Sequence, residues 1–178
     1  MTTSTRTLGS LTQSPAFEFA FRVQQPLPVK PKACVVLLHG VGGSETNLAD
    51  LAAAMGPETL VVLPRGPLQF APGQFGWFRV NFTASGPSIV EAEAEQSRQA
   101  LIRFVGQLQA AYGMASSTTV MAGFSQGGIL SAKALMKEGG VIACEAPRHP
   151  WPDMHPEVRK GLIEAAQRLN PLVFRWGK

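Results

Sequence analysis

The chain is poor in cysteine, histidine and charge, and each shortage narrows what it can do. Its two cysteines, Cys34 and Cys144, show no CxxC spacing, which argues against a metal site. Both read as small buried hydrophobes, a usage that fits a cytoplasmic chain. Only three histidines are present, His39, His149 and His155. The last two flank Asp153, but no third firm metal ligand accompanies them, so neither metal nor cofactor is expected. Charged residues make up 16%, and the net charge of +4 is scattered without a basic run or interleaved aromatics. Nucleic acid is therefore not an expected partner. No apolar run approaches membrane-spanning length, and residues 1–14 are polar without the apolar core of a secretory signal.

What is present is a globular composition, 45% hydrophobic over 178 residues. That is most simply one domain with a real core, spanning residues 1–178, with residues 1–14 loose. Phe17, Phe19, Phe21 and Val23 alternate with polar or small residues, which predicts a half-buried strand. Residues 33–38 and 59–63 are short continuous aliphatic runs, as buried parallel strands are. Residues 47–55 read as a short helix with Leu48, Leu51 and Ala52 inward. Residues 65–86 read as a long Gly/Pro-rich loop. A helix follows, with Ser88 and Glu91 at capping-box spacing. Its stripe runs from Val90 through Ala94, Ser97, Leu101, Phe104, Val105 and Leu108 to Ala111, and Gly113 closes it. Past residue 137, a strand over 141–144, a Pro-rich loop, a helix over 157–169 and a strand over 172–176 are expected. Strands alternating with helices predict an α/β fold with a mostly parallel sheet and flanking helices.

The densest signal is Gly123-Phe124-Ser125-Gln126-Gly127-Gly128. It follows the β-rich residues 118–122 and precedes a helical run from Ile129 to Met136. A G-x-S-x-G between strand and helix has the form of a nucleophile elbow, a turn so sharp that its flanks must be small. A second Gly-rich stretch, His39-Gly40-Val41-Gly42-Gly43, follows the strand at 33–38.

These two motifs, with Pro64-Arg65-Gly66-Pro67 and Gly76-Trp77-Phe78, resemble those of the phospholipase/carboxylesterase family, which also holds acyl-protein thioesterases. The resemblance spans roughly residues 34–134. It implies an α/β-hydrolase-like fold and a serine hydrolase of carboxylic esters or thioesters working through an acyl-enzyme. Carried over by position, Ser125 is the nucleophile. The backbone N–H groups of Gln126 and Val41 are the oxyanion donors. His39 is supportive rather than the base. Trp77 and Phe78 either wall an acyl pocket or pin a long loop to the core.

The resemblance weakens beyond the elbow. The family's acid loop and its later Gly-His pair have no counterpart here, so the chain reads as lacking the last strands. His149 or His155 is the candidate base, against the plainer alternative of a solvated Pro-rich loop. Three readings stand beside one another: an active esterase, an impaired remnant that binds acyl-like ligands, and a binding or oligomerising module. An open sheet edge would also suit a homodimer. The expected partner is otherwise a small acyl ester or thioester.

Overall fold

The computed structural model describes residues 6–83 and 86–137. The expected elements beyond residue 137, with Cys144, His149, Asp153 and His155, lie outside the described residues.

The sheet is built from β1 (Thr7–Leu8), β2 (Phe21–Gln25), β3 (Ala33–Leu38), β4 (Thr59–Pro64) and, later in the chain, β9 (Thr119–Gly123). Its spatial order among the described residues is β1-β2-β4-β3-β9. β3 lies parallel to both β4 and β9. β2 runs antiparallel to β1 and β4, so among the described residues an antiparallel edge joins the parallel strands β4, β3 and β9. The buried parallel strands carry the aliphatic runs: Val36, Leu37, Leu38, Leu60, Val61, Val62 and Leu63 are all essentially inaccessible.

Helices cover both faces. α1 (Ala49–Ala53) packs Ala52 against Leu37, Val61 and Leu63. On the opposite face, α2 (Glu91–Tyr112) and α3 (Gln126–Lys137) bury Leu101, Phe104, Val105, Leu108 and Leu130 against the other side of the same strands. The α2 stripe matches its 3.6-residue period from Ala94 to Leu108, whereas Ala111 is exposed. The helix ends at Gly113 in the left-handed conformation.

Several expectations are corrected. Residues 6–14 are ordered, not loose: the Arg6 guanidinium donates to the carbonyls of Met55, Gly56 and Thr59 at 2.8–3.0 Å, and β1 pairs with β2. The alternating phenylalanines do not form one strand. Phe17 and Phe19 sit in bends before β2, because Phe17, Phe19 and Phe21 all turn onto Phe104, with ring centroids 5.3–6.3 Å apart. Packing on one aromatic overrides the two-residue period. α1 is shorter than expected and leaves Leu51 exposed. Asn47 instead accepts the Ser44 N–H at 2.6 Å, holding the approach as a turn.

Where a loop at 65–86 was expected, two strand pairs begin: β5 (Leu68–Ala71) with β6 (Gln74–Gly76), and β7 (Val80–Thr83) with β8 (Gly86–Ile89), which runs past the expected loop. Ser88 pairs with Asn81 inside the second hairpin, so its capping box does not form and α2 starts at Glu91 without a side-chain cap.

Phe104 is the hub of the α2 face and wholly buried. Phe104→Ala should lower the unfolding free energy by about 3–5 kcal/mol, read by urea denaturation. A loss under about 1 kcal/mol would show that the ring cluster is not a core.

Candidate active site

β9 runs into Gly123, and α3 begins three residues later. The reversal leaves almost no room between backbones. A methyl group at Gly123 would collide with the backbone of Gly127 and Gly128; one at Gly127 would collide with the carbonyls of Leu38 and His39. Ser125, at the apex, takes φ 51°, the sole non-glycine at positive φ among the described residues. Such a conformation costs on the order of 1–3 kcal/mol and persists only where the surroundings impose it. Here they do: Phe124 N–H donates to Leu38 O at 3.0 Å, Gly127 N–H to Phe124 O at 3.0 Å, and Ile129 N–H to Ser125 O at 3.1 Å. Ser125 is exposed at the N-terminus of α3, where the helix dipole favours negative charge.

Gln126 is tied into the core through its side chain. Its side chain is buried, accepting Trp77 N–H at 2.8 Å through Oε1 and donating through Nε2 to Phe78 O at 2.5 Å. Trp77 in turn donates its indole N–H to His39 O at 2.9 Å, and its carbonyl accepts the Ser97 hydroxyl. The elbow, the end of β3, the segment after β6 and α2 are thus joined by buried hydrogen bonds.

His39 is committed within this frame. Its Nε2 accepts Gly66 N–H at 2.9 Å, which requires the proton on Nδ1, and Nδ1 donates to Gly40 O at 2.7 Å. Burial pushes the imidazole pKa down, outweighing the Gly40 bond. A neutral ring with both nitrogens occupied braces the loop on either side of it.

The loop after β3 faces the elbow. Gly42 N–H donates to Phe75 O at 2.8 Å, and Phe75 N–H to Gly43 O at 2.7 Å. Val41, between these fasteners and the His39 brace, is 48% exposed. Among the described residues, no acceptor takes the backbone N–H of Val41 or of Gln126.

Val41, Ser125 and Gln126 meet at one cavity of about 580 Å³. Its wall is mainly apolar, from Phe70, Phe78, Val80, Ile89 and Ile129, with Arg79 and Asn81 adding polar groups. Of the two aromatics weighed from the sequence, Phe78 lines this cavity. Trp77 is wholly buried and not among the lining residues, so it pins the loop instead of walling the pocket. Phe70 and Ile129 were missed because neither lies in a motif. Both are exposed large apolar residues, which only the fold brings beside Ser125. Among the described residues, no group of three or more metal-ligating side chains is assembled.

The family profile described as Phospholipase/Carboxylesterase matches residues 20–151. The chain belongs to the phospholipase/carboxylesterase family. The fold resembles that of the carboxylesterase from Mesorhizobium loti, with 22% identity and a TM-score of 0.61, covering 75% of this chain and 62% of that one. It also resembles the Bacillus cereus carboxylesterase, with 25% identity and a TM-score of 0.53, covering 66% of this chain and 53% of that one. This family member therefore spans between half and two thirds of those enzymes. A separate likeness is short: 51 residues are 65% identical to the L-2-keto-3-deoxyarabonate dehydratase of Azospirillum brasilense, 29% of this chain but 16% of that protein.

One buried charge stands beside the site. Glu45 is almost inaccessible, and its carboxylate accepts from Arg65 at 2.7 Å twice and from Arg22 at 3.0 Å. Burial alone would raise its pKa, but the bonds from Arg65 and Arg22 outweigh it and hold the carboxyl at about 2, below its ordinary 4.5. A carboxylate with a depressed folded pKa stabilises the fold above the unfolded value and loses that contribution as pH falls. The stability gap between the natural chain and Glu45→Gln should therefore be full at pH 6 and shrink between pH 4.5 and 2, measured by denaturation at each pH. A gap that stays constant down to pH 2.5 would refute the assignment.

Proposed function

We propose that this chain is a carboxylic ester hydrolase that works through an acyl-enzyme on Ser125. The observation that carries the reading is the convergence of an exposed, positive-φ serine with two unengaged backbone N–H groups at the mouth of an apolar cavity. The Ser125 oxygen attacks the ester or thioester carbonyl, and the carbonyl oxygen becomes an oxyanion held by the N–H groups of Val41 and Gln126. Collapse expels the alcohol or thiol, which takes the proton removed from Ser125. Water then attacks the acyl-enzyme, restoring Ser125 and releasing the acid. The acyl chain lies along Phe70, Phe78 and Ile129. Either His149 or His155 carries the proton, since His39 is occupied on both nitrogens.

That occupation also favours a second reading, a remnant that binds acyl ligands and turns them over poorly. Oxyanion and binding contributions alone leave about 10³-fold over water, so the two differ in rate. The same proposal includes a cytoplasmic location, where a buried unpaired thiol such as Cys34, pushed up to about 12 by burial, persists. It also includes a homodimer across β9, whose one strand neighbour among the described residues is β3. A monodisperse monomer by light scattering would remove the dimer.

Hydrolysis of short-chain p-nitrophenyl esters should fall at least about 10³-fold in Ser125→Ala, with the thermal transition retained. Equal rates for the two proteins would defeat the acyl-enzyme reading. A natural-chain rate already as low as that of Ser125→Ala, with ester still bound, would select the remnant.

A further inference from the structure

We propose that Glu45 and Arg65 are positioning residues for ester cleavage, fixing the loop that carries the Val41 N–H. The proposal rests on the part given above to Ser125 and Val41. Three links connect the ion pair to the loop. The Glu45 carboxylate grips Arg65 through both Nε and Nη2 at 2.7 Å, a planar two-point contact that sets the guanidinium's orientation. The guanidinium lies over the Phe75 ring, 4.5 Å from its centroid. Phe75 forms the two-bond bridge to Gly42 and Gly43. The other end of the loop is fastened by the same stretch of chain, because Gly66, next to Arg65, donates to His39, whose other nitrogen holds Gly40. Val41 is the residue between these two fastenings.

Arg22 anchors the assembly to the sheet. It extends from β2, donates to Gly9 O at 2.9 Å and gives Glu45 its third bond at 3.0 Å. The carboxylate therefore ties the segment that follows the loop to β2. Glu45 lies two residues beyond Gly43, so a small shift of its side chain is passed directly to the loop. Catalysis by fixed dipoles depends on how little the donors must move when charge develops, and a clamp of this kind supplies that fixity. It acts on the transition state, where the oxyanion exists, more than on the bound ester.

The test is Glu45→Gln in the full chain, at neutral pH. Amide hydrogen exchange at Gly42 and Phe75 should quicken at least tenfold, while amides in the middle of α2 keep their rates. Phosphonylation of Ser125 by a fluorophosphonate probe should slow at least tenfold, and with p-nitrophenyl acetate kcat should fall while KM stays within about twofold. Unchanged exchange at Gly42 and Phe75, a uniform rise that includes α2, or unchanged labelling would overturn the clamp. If the natural chain itself takes no label, the Ser125 reading fails, and the exchange result still decides whether the loop is clamped. Should Glu45→Gln not fold, Phe75→Leu keeps the ion pair but removes the ring beneath it. The same local loosening is expected there, and its absence would overturn the proposal.

Discussion

Contact between two stretches of backbone governs this site. Where α3 begins, Gly127 lies against the carbonyls of Leu38 and His39, and Gly123 lies against Gly127 itself. No side chain fits in either gap. The chain must therefore reverse within a few residues, and the strain falls on Ser125, the residue left at positive φ. The exposure of its hydroxyl, its place at a helix N-terminus and its nearness to the loop after β3 all follow from that packing. The cost of the strained serine is carried by the parallel pairing of β3 with β9, which fixes the ends of both strands side by side.

Buried polar groups then turn a sharp corner into a rigid cleft. Gln126 bridges to Trp77 and Phe78, Trp77 to His39, and His39 to Gly66. Each of these groups would be expensive to bury alone, and each is satisfied by the next. The arrangement gives His39 and Trp77 bracing parts and leaves the cavity wall to Phe70, Phe78 and Ile129. It also explains why a region rich in glycine and proline is ordered: its backbone groups are used by the site's own frame and by two hairpins.

Much of this was legible beforehand, and the limits have physical causes. β3, β4 and the α2 stripe were readable because buried parallel strands and amphipathic helices impose their periods on sequence. The elbow was readable because steric exclusion demands glycine at fixed spacing. The strand pairs between Leu68 and Ile89 were not, since short two-stranded ribbons pinned by tertiary contacts carry little pattern of their own. Phe17 and Phe19 misled because attraction to Phe104 mimics strand alternation. The Glu45 network was invisible for a different reason: Arg22, Glu45 and Arg65 are scattered along the chain and meet only through the sheet order. His149 and His155 lie outside the described residues, so the proton carrier remains a proposal drawn from the sequence.

Family membership and fold rest on the match over residues 20–151 and on the likeness to solved carboxylesterases. On the proposed reading, the elbow and the loop after β3 together form a pocket for developing negative charge. The decisive experiment is a crystal structure of the chain after reaction with a fluorophosphonate. A single adduct is expected on Ser125, its phosphoryl oxygen accepting hydrogen bonds from the backbone N–H groups of Val41 and Gln126 at about 2.7–3.1 Å. An adduct elsewhere, or a phosphoryl oxygen turned to solvent away from both groups, would contradict it.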